Sequence, residues 1–329
     1  MSNLATSRHQ EPRIVVVDVA GGAWGGAGRY LAEFVRWLEQ HPRAAAVIGQ
    51  NRQLTTPWIL ARERRARSLA AHRVVALNNA SFIGGEERVV VVRNALHFMT
   101  HDELAKVLPR RGAVEVSMQA LVIRGLMRRA TEVIVPTASM ANRVEARAPW
   151  VADRLSVRHH PVSRPVSHVG RRERVVLCPI IDAPHKRLGE HVHRFLASSP
   201  RDVELRVTMS VEQLASYGLE PSSRLVALGL LGREAIAREF TSCAAVFMPL
   251  HLESFGYAFA EALVNRRPVI ATDSDIAREV AREALVAYDS DESLATAIER
   301  ALSLELGVMD RNPFDPSDYF SRLTGVSPA

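Results

Sequence analysis

Apolar and polar positions follow two rhythms along this chain: short continuous apolar runs, and longer stretches in which apolar residues recur on one helical face. Arg13-Ile-Val-Val-Val-Asp18 is the first run. It is β-branched and is followed by a glycine cluster, which predicts a strand buried on both faces. A helix follows over residues 28–38, with Leu31, Phe34, Val35 and Leu38 on one face. Further strands are predicted at 45–48, 73–77, 88–92 and 132–135, with helices at 57–71, 101–108, 114–128 and 138–146. Segment 158–170 is proline-rich, lacks periodicity and reads as a linker. The alternation then restarts. Strands are predicted at 175–178, 203–208, 225–228, 244–248 and 269–271, and helices at 187–197, 211–217, 233–240, 256–264 and 291–303, with a last helix over 314–323.

Two such runs predict an α/β protein of two Rossmann-like, doubly wound parallel-sheet domains facing a cleft. The boundaries are read as 1–165 and 166–305, with a tail, 306–329, returning to the first domain. Ligands of such sheets bind outside the carboxyl ends of the strands.

Composition fits this picture. At 329 residues and 47% hydrophobic, the chain can fill two cores of about 150 residues each. No apolar run approaches the roughly 18–20 residues needed to cross a bilayer. The first ten residues lack a signal peptide's apolar core, which predicts a cytoplasmic protein. Cys178 and Cys243 sit in apolar runs and read as small buried hydrophobes.

Charge is unevenly spread. Residues 1–165 carry 24 Lys/Arg against 13 Asp/Glu, whereas the remainder carries 18 against 23. A basic half predicts an anionic partner or surface. Arg62, Arg64, Arg65 and Arg67 form the densest cluster, with Arg110/Arg111 and Arg128/Arg129 elsewhere. Nucleic acid is disfavoured: no zinc, helix-turn-helix or RNP-type pattern occurs, and aromatics make up only 6%. A membrane surface or a phosphorylated acceptor remains, beside a merely solvated arginine face. The basic stretch from Trp58 to Leu69 reads either as a helix lying on the inner face of an anionic membrane or as an ordinary helix with an arginine-rich outer face.

The richest candidate chemistry lies in Glu253-Ser-Phe-Gly-Tyr-Ala-Phe-Ala-Glu261, followed by Arg267-Pro-Val-Ile-Ala-Thr272. Two carboxylates flank a small-residue turn just after the strand-like Ala244–Met248. A helix beginning near Gly256 would offer backbone N–H groups to a phosphate over Phe255 and Gly256. The carboxylates are suited to accept hydrogen bonds from hydroxyl groups on either side. A diphosphate between two hydroxyl-bearing sugars describes a nucleotide-sugar.

From Val175 to about Leu302 the sequence resembles the donor half of the retaining family 4 glycosyltransferases, which have the two-domain GT-B fold. The resemblance rests on E-S-F-G-Y-A-F-A-E-A-L with its two glutamates, the preceding F-M-P-L, and R-R-P-V-I-A-T-D. The first half matches more weakly, through Gly25-Gly-Ala-Gly-Arg-Tyr30, which looks like the family's G-G-x-G-R-Y loop. The resemblance implies that Glu261 holds the donor ribose and that Glu253 lies near the transferred sugar. Ser254, Phe255 and Gly256 would meet the distal phosphate or sugar. Lys186, in Ala183-Pro-His-Lys-Arg-Leu188, matches the family's diphosphate-binding lysine. The arginine that usually precedes it is missing from Cys178-Pro-Ile-Ile-Asp182, leaving Arg187 or a first-half residue to supply a second charge.

Gly25 and Gly26 would let the backbone approach the diphosphate or acceptor. A G-x-G-x-x-G spacing is absent because Leu31 stands at its last position, which disfavours a nicotinamide enzyme. His97 lies where the family often has a histidine facing the reacting sugar, with Arg93 and Asn94 as lesser candidates. Asp273-Ser-Asp275 looks like the D-x-D of metal-dependent transferases but falls in a loop that lines the donor pocket in family 4. His159-His160 reads as a strand end and not as a metal site.

The resemblance thus implies a retaining, metal-independent glycosyltransferase with no cofactor. Its donor would be a nucleoside-diphosphate-sugar and its acceptor a hydroxyl group, lipid-linked or on a natural product. The Ala/Arg/Val-rich composition suggests a bacterial gene of a cell-envelope or antibiotic pathway. The alternatives are an epimerase or inverting transferase of the same fold, and a non-catalytic partner subunit.

Overall fold

The computed structural model describes residues 14–22, 25–164, 173–183, 186–250 and 253–326. The first sheet contains β1 (Val15–Asp18), β2 (Ala46–Ile48), β3 (Arg73–Ala76), β4 (Glu87–Val91), β5 (Glu132–Val135) and β6 (Leu155–Val157). It is parallel throughout, in the order β2-β1-β3-β4-β5-β6. Its helices are α1 (Gly25–Gln40), α2 (Thr56–Ser68), α3 (His101–Val107), α4 (Arg110–Met127) and α5 (Ala138–Arg147).

The second sheet contains β7 (Val175–Cys178), β8 (Glu204–Val207), β9 (Leu225–Ala227), β10 (Ala245–Met248), β11 (Val269–Thr272) and β12 (Leu285–Tyr288). It is also parallel, in the order β12-β11-β10-β7-β8-β9. Helices α6 (Leu188–Ser198), α7 (Val211–Ser216), α8 (Arg233–Ser242), α9 (Tyr257–Val264), α10 (Asp275–Ala281) and α11 (Asp291–Ser303) accompany it. The last helix, α12 (Pro316–Thr324), crosses back onto α1 and β3. There Phe320 packs against Phe34 and Trp37, and the Arg73 Nε donates to Leu323 O at 2.9 Å.

The strand orders locate the ligand crevices. In the first sheet the order reverses between β1 and β3, so the glycine-rich segment after β1 leaves at the switch point. In the second it reverses between β7 and β10. The loops leaving those two strands, one carrying Lys186 and the other Glu253, therefore diverge around one crevice.

Several boundaries differ from the sequence expectation. Asp273-Ser-Asp275 is not a plain loop. Ser274 caps α10, its Oγ accepting from Ala277 N at 3.2 Å. The strand β12 and its place at the sheet edge were not expected, because Leu285–Tyr288 is short and follows directly on α10 and a 3-10 turn. Residues 158–164 of the expected linker are packed: Val162 N donates to Phe314 O at 2.9 Å and Asn312 Nδ2 to Val162 O at 2.7 Å. The rest of that linker, and the first thirteen residues, lie outside the described residues.

The arginine cluster is split by the fold. Arg64, Arg65 and Arg67 are exposed, but Arg62 is fully buried, which corrects its reading as part of a surface patch. Its Nη1 donates to Asp18 Oδ2 at 2.8 Å and its Nη2 to the carbonyls of Ala80 and Ser81, both at 2.8 Å. Trp58 Nε1, Asn78 Nδ2 and Ala20 N also donate to the Asp18 carboxylate. The inner face of α2 thus holds the end of β1, immediately before the glycine-rich segment.

Candidate active site

The loops after β7 and β10 are held by short-range contacts and by the first domain. After β7, Lys186 folds back on its own loop, with its Nζ donating to Ile181 O at 3.1 Å. Pro184 and His185, two residues of the lysine motif, lie outside the described residues. Beyond β10, the chain turns from Glu253 through Ser254 and Phe255 into Gly256. Gly256 caps α9 with φ +71°, a left-handed conformation suited to glycine. An added Cβ there would meet the Phe259 ring at 2.4 Å. The first domain grips this turn. Ser254 Oγ donates to Arg93 O at 3.0 Å, and Thr137 Oγ1 donates to Ser254 O at 3.1 Å. Phe255 is buried among His160, Tyr257 and Phe314.

Two adjoining cavities lie between the domains. The smaller, about 200 Å³, is lined by Gly25, Gly26, Arg29, Lys186, Glu253 and the Ser254–Gly256 turn. The larger, about 520 Å³, contains Glu261 and Glu33 and is walled by Thr208, Leu230, Arg233 and Ile236. Gly25, Arg29, Pro179, Ile181 and Tyr257 line both. The approach at Gly26 is tight, since an added Cβ would stand 3.1 Å from the Tyr257 ring. Together the cavities fall in the size range of small-ligand sites, roughly 300–1,000 Å³.

The electrostatics of the pair are set by burial and two cations. Desolvation raises the Glu253 pKa, and the nearby Lys186 and Arg29 oppose that rise. Desolvation likewise raises the pKa of Glu261, opposed chiefly by Arg29. Arg29 Nη1 lies 2.8 Å from Glu261 Oε2 but is not aligned on it as a hydrogen bond, so that oxygen keeps acceptor capacity. A second ion pair, Arg233 Nη2 to Glu33 Oε1 at 2.8 Å, also joins the two domains beside the larger cavity. Half-buried carboxylates with acceptor capacity beside cations suit the hydroxyl groups of a polyanionic ligand.

Comparison with known proteins agrees with this architecture. Residues 210–313 match the family model described as glycosyl transferases group 1. The structure is similar to WaaG, a glycosyltransferase involved in lipopolysaccharide biosynthesis, with TM-score 0.63 and 14% identity over 88% of this chain and 91% of that one. It is similar to HepE from Anabaena, solved in complex with UDP and glucose, with TM-score 0.61 and 16% identity over 95% and 97% of the two chains. AviGT4, a glycosyltransferase involved in avilamycin A biosynthesis, gives 0.55 and 13% over 95% and 99%. The fold is GT-B. A sequence search of curated proteins finds no match.

The GT-B cleft brings together Gly25, Gly26, Lys186, Glu253, Ser254, Phe255 and Gly256 at one cavity and Glu261 at its neighbour. It does not bring in Arg187. That side chain is exposed, is held by Glu190 through an Nε–Oε1 contact of 2.6 Å, and lines neither cavity. Asp273 and Asp275 are also outside the lining and pair with Arg278. His97 is buried within the first domain, with its Nδ1 accepting from Asn79 Nδ2 at 2.9 Å, and it lines neither cavity. Burial pushes its pKa down to about 4, so it is a neutral packing group at pH 7.

Three residues enter the site that sequence reasoning had passed over or given little weight. Arg29 stood inside the quoted glycine loop without a role. Arg93 is half-buried over the Tyr30 ring, with its Nη1 donating to Ala27 O at 3.2 Å. His160 was set aside as a strand end, yet it lines the smaller cavity among Tyr30, Phe255 and Tyr257. Neither of its ring nitrogens has a partner among the described residues, and burial drives its pKa well down. No sequence pattern marks it beyond the adjacent Pro161.

Proposed function

We propose that this protein is a retaining, metal-independent glycosyltransferase that moves a sugar from a nucleoside diphosphate to a hydroxyl acceptor. The observation that carries the reading is the charge pattern across the two cavities: Glu253 with Lys186 in the smaller, Glu261 in the larger, and Arg29 lining both and acting on both carboxylates. The larger cavity takes the nucleoside, with Glu261 accepting from its ribose hydroxyls. The smaller takes the transferred sugar, with Glu253 accepting from its hydroxyls and neutral His160 offering one donor and one acceptor. HepE, of the same fold, has been solved with UDP and glucose, which supports a sugar-nucleotide donor.

In this scheme the bond from the anomeric carbon to the phosphate oxygen breaks with its electron pair passing to the diphosphate. Lys186, Arg29 and the amides at the Gly256 turn stabilise that growing charge, the role a divalent cation fills in metal-dependent transferases. The acceptor oxygen bonds to the same face of the anomeric carbon, and its proton goes to the departing phosphate oxygen. The protein supplies position and electrostatics and needs no nucleophile of its own.

The test is donor turnover across UDP-, GDP- and dTDP-sugars with two variants. Glu261→Ala should chiefly raise donor KM, because a ribose contact is made equally in ground and transition states. Lys186→Ala should chiefly lower kcat, by about 10²–10³. Equal and trivial effects would sink the assignment. An inverted anomeric centre in the product, or an absolute need for a divalent cation, would overturn the corresponding part of it.

A further inference from the structure

One charge in the smaller cavity has no counter-ion. Arg93 lines that cavity from the end of β4, half-buried, with its guanidinium carbon 5.2 Å from the Tyr30 ring centre. A guanidinium carries five N–H donors. Among the described residues one of them is matched, Nη1 to Ala27 O at 3.2 Å, while Nε is shut from water without a partner. Desolvation lowers the Arg93 pKa, opposed by Tyr30, Tyr257, Tyr319 and Asp18. Three of these are phenols that burial keeps neutral. The fourth, Asp18, is already paired with Arg62 at 2.8 Å.

The other cations of the cleft are engaged. Lys186 and Arg29 act on the Glu253 carboxyl and Arg29 on Glu261, whereas Arg93 is coupled to neither glutamate. A cation taken out of water is costly unless it is paired. The cavity is therefore short of one anion on the Arg93 side. His160 shares the cavity and feels the Arg93 charge, and neither of its ring nitrogens has a partner among the described residues. A neutral imidazole adds one more N–H to the same environment. The backbone ties this side to the donor turn, because Arg93 O accepts from Ser254 Oγ at 3.0 Å.

We infer that the transferred sugar is acidic, a sugar of the hexuronic acid class whose carboxylate is held by Arg93 with a hydrogen bond from His160. The inference rests on the donor reading above, in which the smaller cavity takes the transferred sugar. There the diphosphate is matched by Lys186, Arg29 and the Gly256 turn, so its oxygens do not need Arg93. Glu253 suits the sugar hydroxyls and would repel a second carboxylate. Arg93 has the opposite preference, and its planar fork of donors fits a carboxylate. A neutral hexose would leave the guanidinium unpaired, which is how the site would discriminate against it. Arg93 positions the sugar; no proton or electron pair passes through it.

The test is donor turnover with UDP-glucuronate against UDP-glucose, and with the corresponding GDP- and dTDP-linked pairs. Wild type should favour the uronate by about 10–100-fold in kcat/KM, as expected for one charge-assisted contact out of water. Arg93→Gln keeps N–H donors but loses the charge, and should bring the ratio of the two donors toward one. Arg93→Lys should keep part of the preference, because its charge remains while the fork is lost. The wild-type preference and Arg93→Lys decide the matter even if Arg93→Gln misfolds. A wild type that prefers the neutral hexose, or an Arg93→Gln enzyme that loses both donors in equal measure, would overturn the inference and leave the transferase reading standing. So would a loss confined to the KM of an anionic acceptor, which would place the anion there. Turnover of no sugar nucleotide at all would overturn both.

Discussion

Replacing Arg62 tests the deepest departure of the structure from its sequence pattern. Arg62→Ala would leave the Asp18 carboxylate in a fully buried site with its cation gone. Trp58 Nε1, Asn78 Nδ2 and Ala20 N would still donate to it, at 3.1, 2.8 and 3.0 Å. The carbonyls of Ala80 and Ser81 would lose their shared donor, and the Phe82 ring would lose a guanidinium 4.4 Å from its centre. Breaking a buried pair from one side costs about 3–5 kcal/mol, a large part of the roughly 5–15 kcal/mol that holds a domain together. Urea unfolding should show that loss as a lower midpoint with an unchanged slope. Adding Asp18→Asn should recover part of it by removing the stranded charge, while the two carbonyls keep the double variant about 1–3 kcal/mol below wild type. A single-variant loss under about 1 kcal/mol, typical of an exposed arginine, would refute the buried hub.

Two further substitutions probe the cleft. Arg29→Ala removes the cation shared by Glu261 and Glu253, and titration with nucleoside diphosphate should show affinity lower by about 10–100-fold, as expected for one charge-assisted hydrogen bond of roughly 1.5–3 kcal/mol. Unchanged affinity would remove Arg29 from the diphosphate site. Gly256→Ala places a Cβ 2.4 Å from Phe259 Cδ2 at φ +71°, so calorimetry should show a loss of about 1–3 kcal/mol together with weaker diphosphate binding; wild-type values of both would show that the turn can relax.

The parts of the fold legible in the sequence were those where one physical demand dominates. β10 is a continuous apolar run, and β1 and β4 each hold three consecutive buried or nearly buried valines, because parallel strands covered on both faces admit little else. β12 hides because Leu285–Tyr288 is a four-residue edge strand with Ala287 exposed. Ser274 was read through its acidic neighbours, although a serine before an apolar-periodic stretch is also a helix cap. In the site, Lys186, Glu253 and the turn to Gly256 were legible because one sheet's switch point gathers loops that each carry a recognisable pattern. Arg29, Arg93 and His160 leave α1, the end of β4 and the end of β6, and only the packing of Tyr30, Phe255 and Tyr257 brings them together.

Helices α2 and α4 show why periodicity alone misplaced the surface chemistry of the basic half. In α2 the spacing Trp58, Arg62, Ala66 marks the inward face, but a charged residue in its middle looks like solvent-facing polarity. Only the unpaired acid at the end of β1 betrays the need for a buried cation there. In α4 apolar residues occupy both faces, so the 3.6-residue pattern cannot say which side is core. The structure settles it: Ala113 and Ala120 are buried, Ala113 against Met99 and Leu104, while Met118 and Leu121 are exposed. The misreading of Arg62 has a plain source: side-chain polarity was taken to report direction, whereas direction is set by what the neighbouring element must satisfy. The basic surface of α2 is therefore reduced to Arg64, Arg65 and Arg67, and further exposed arginines stand at the two ends of α4, bordering an apolar stripe.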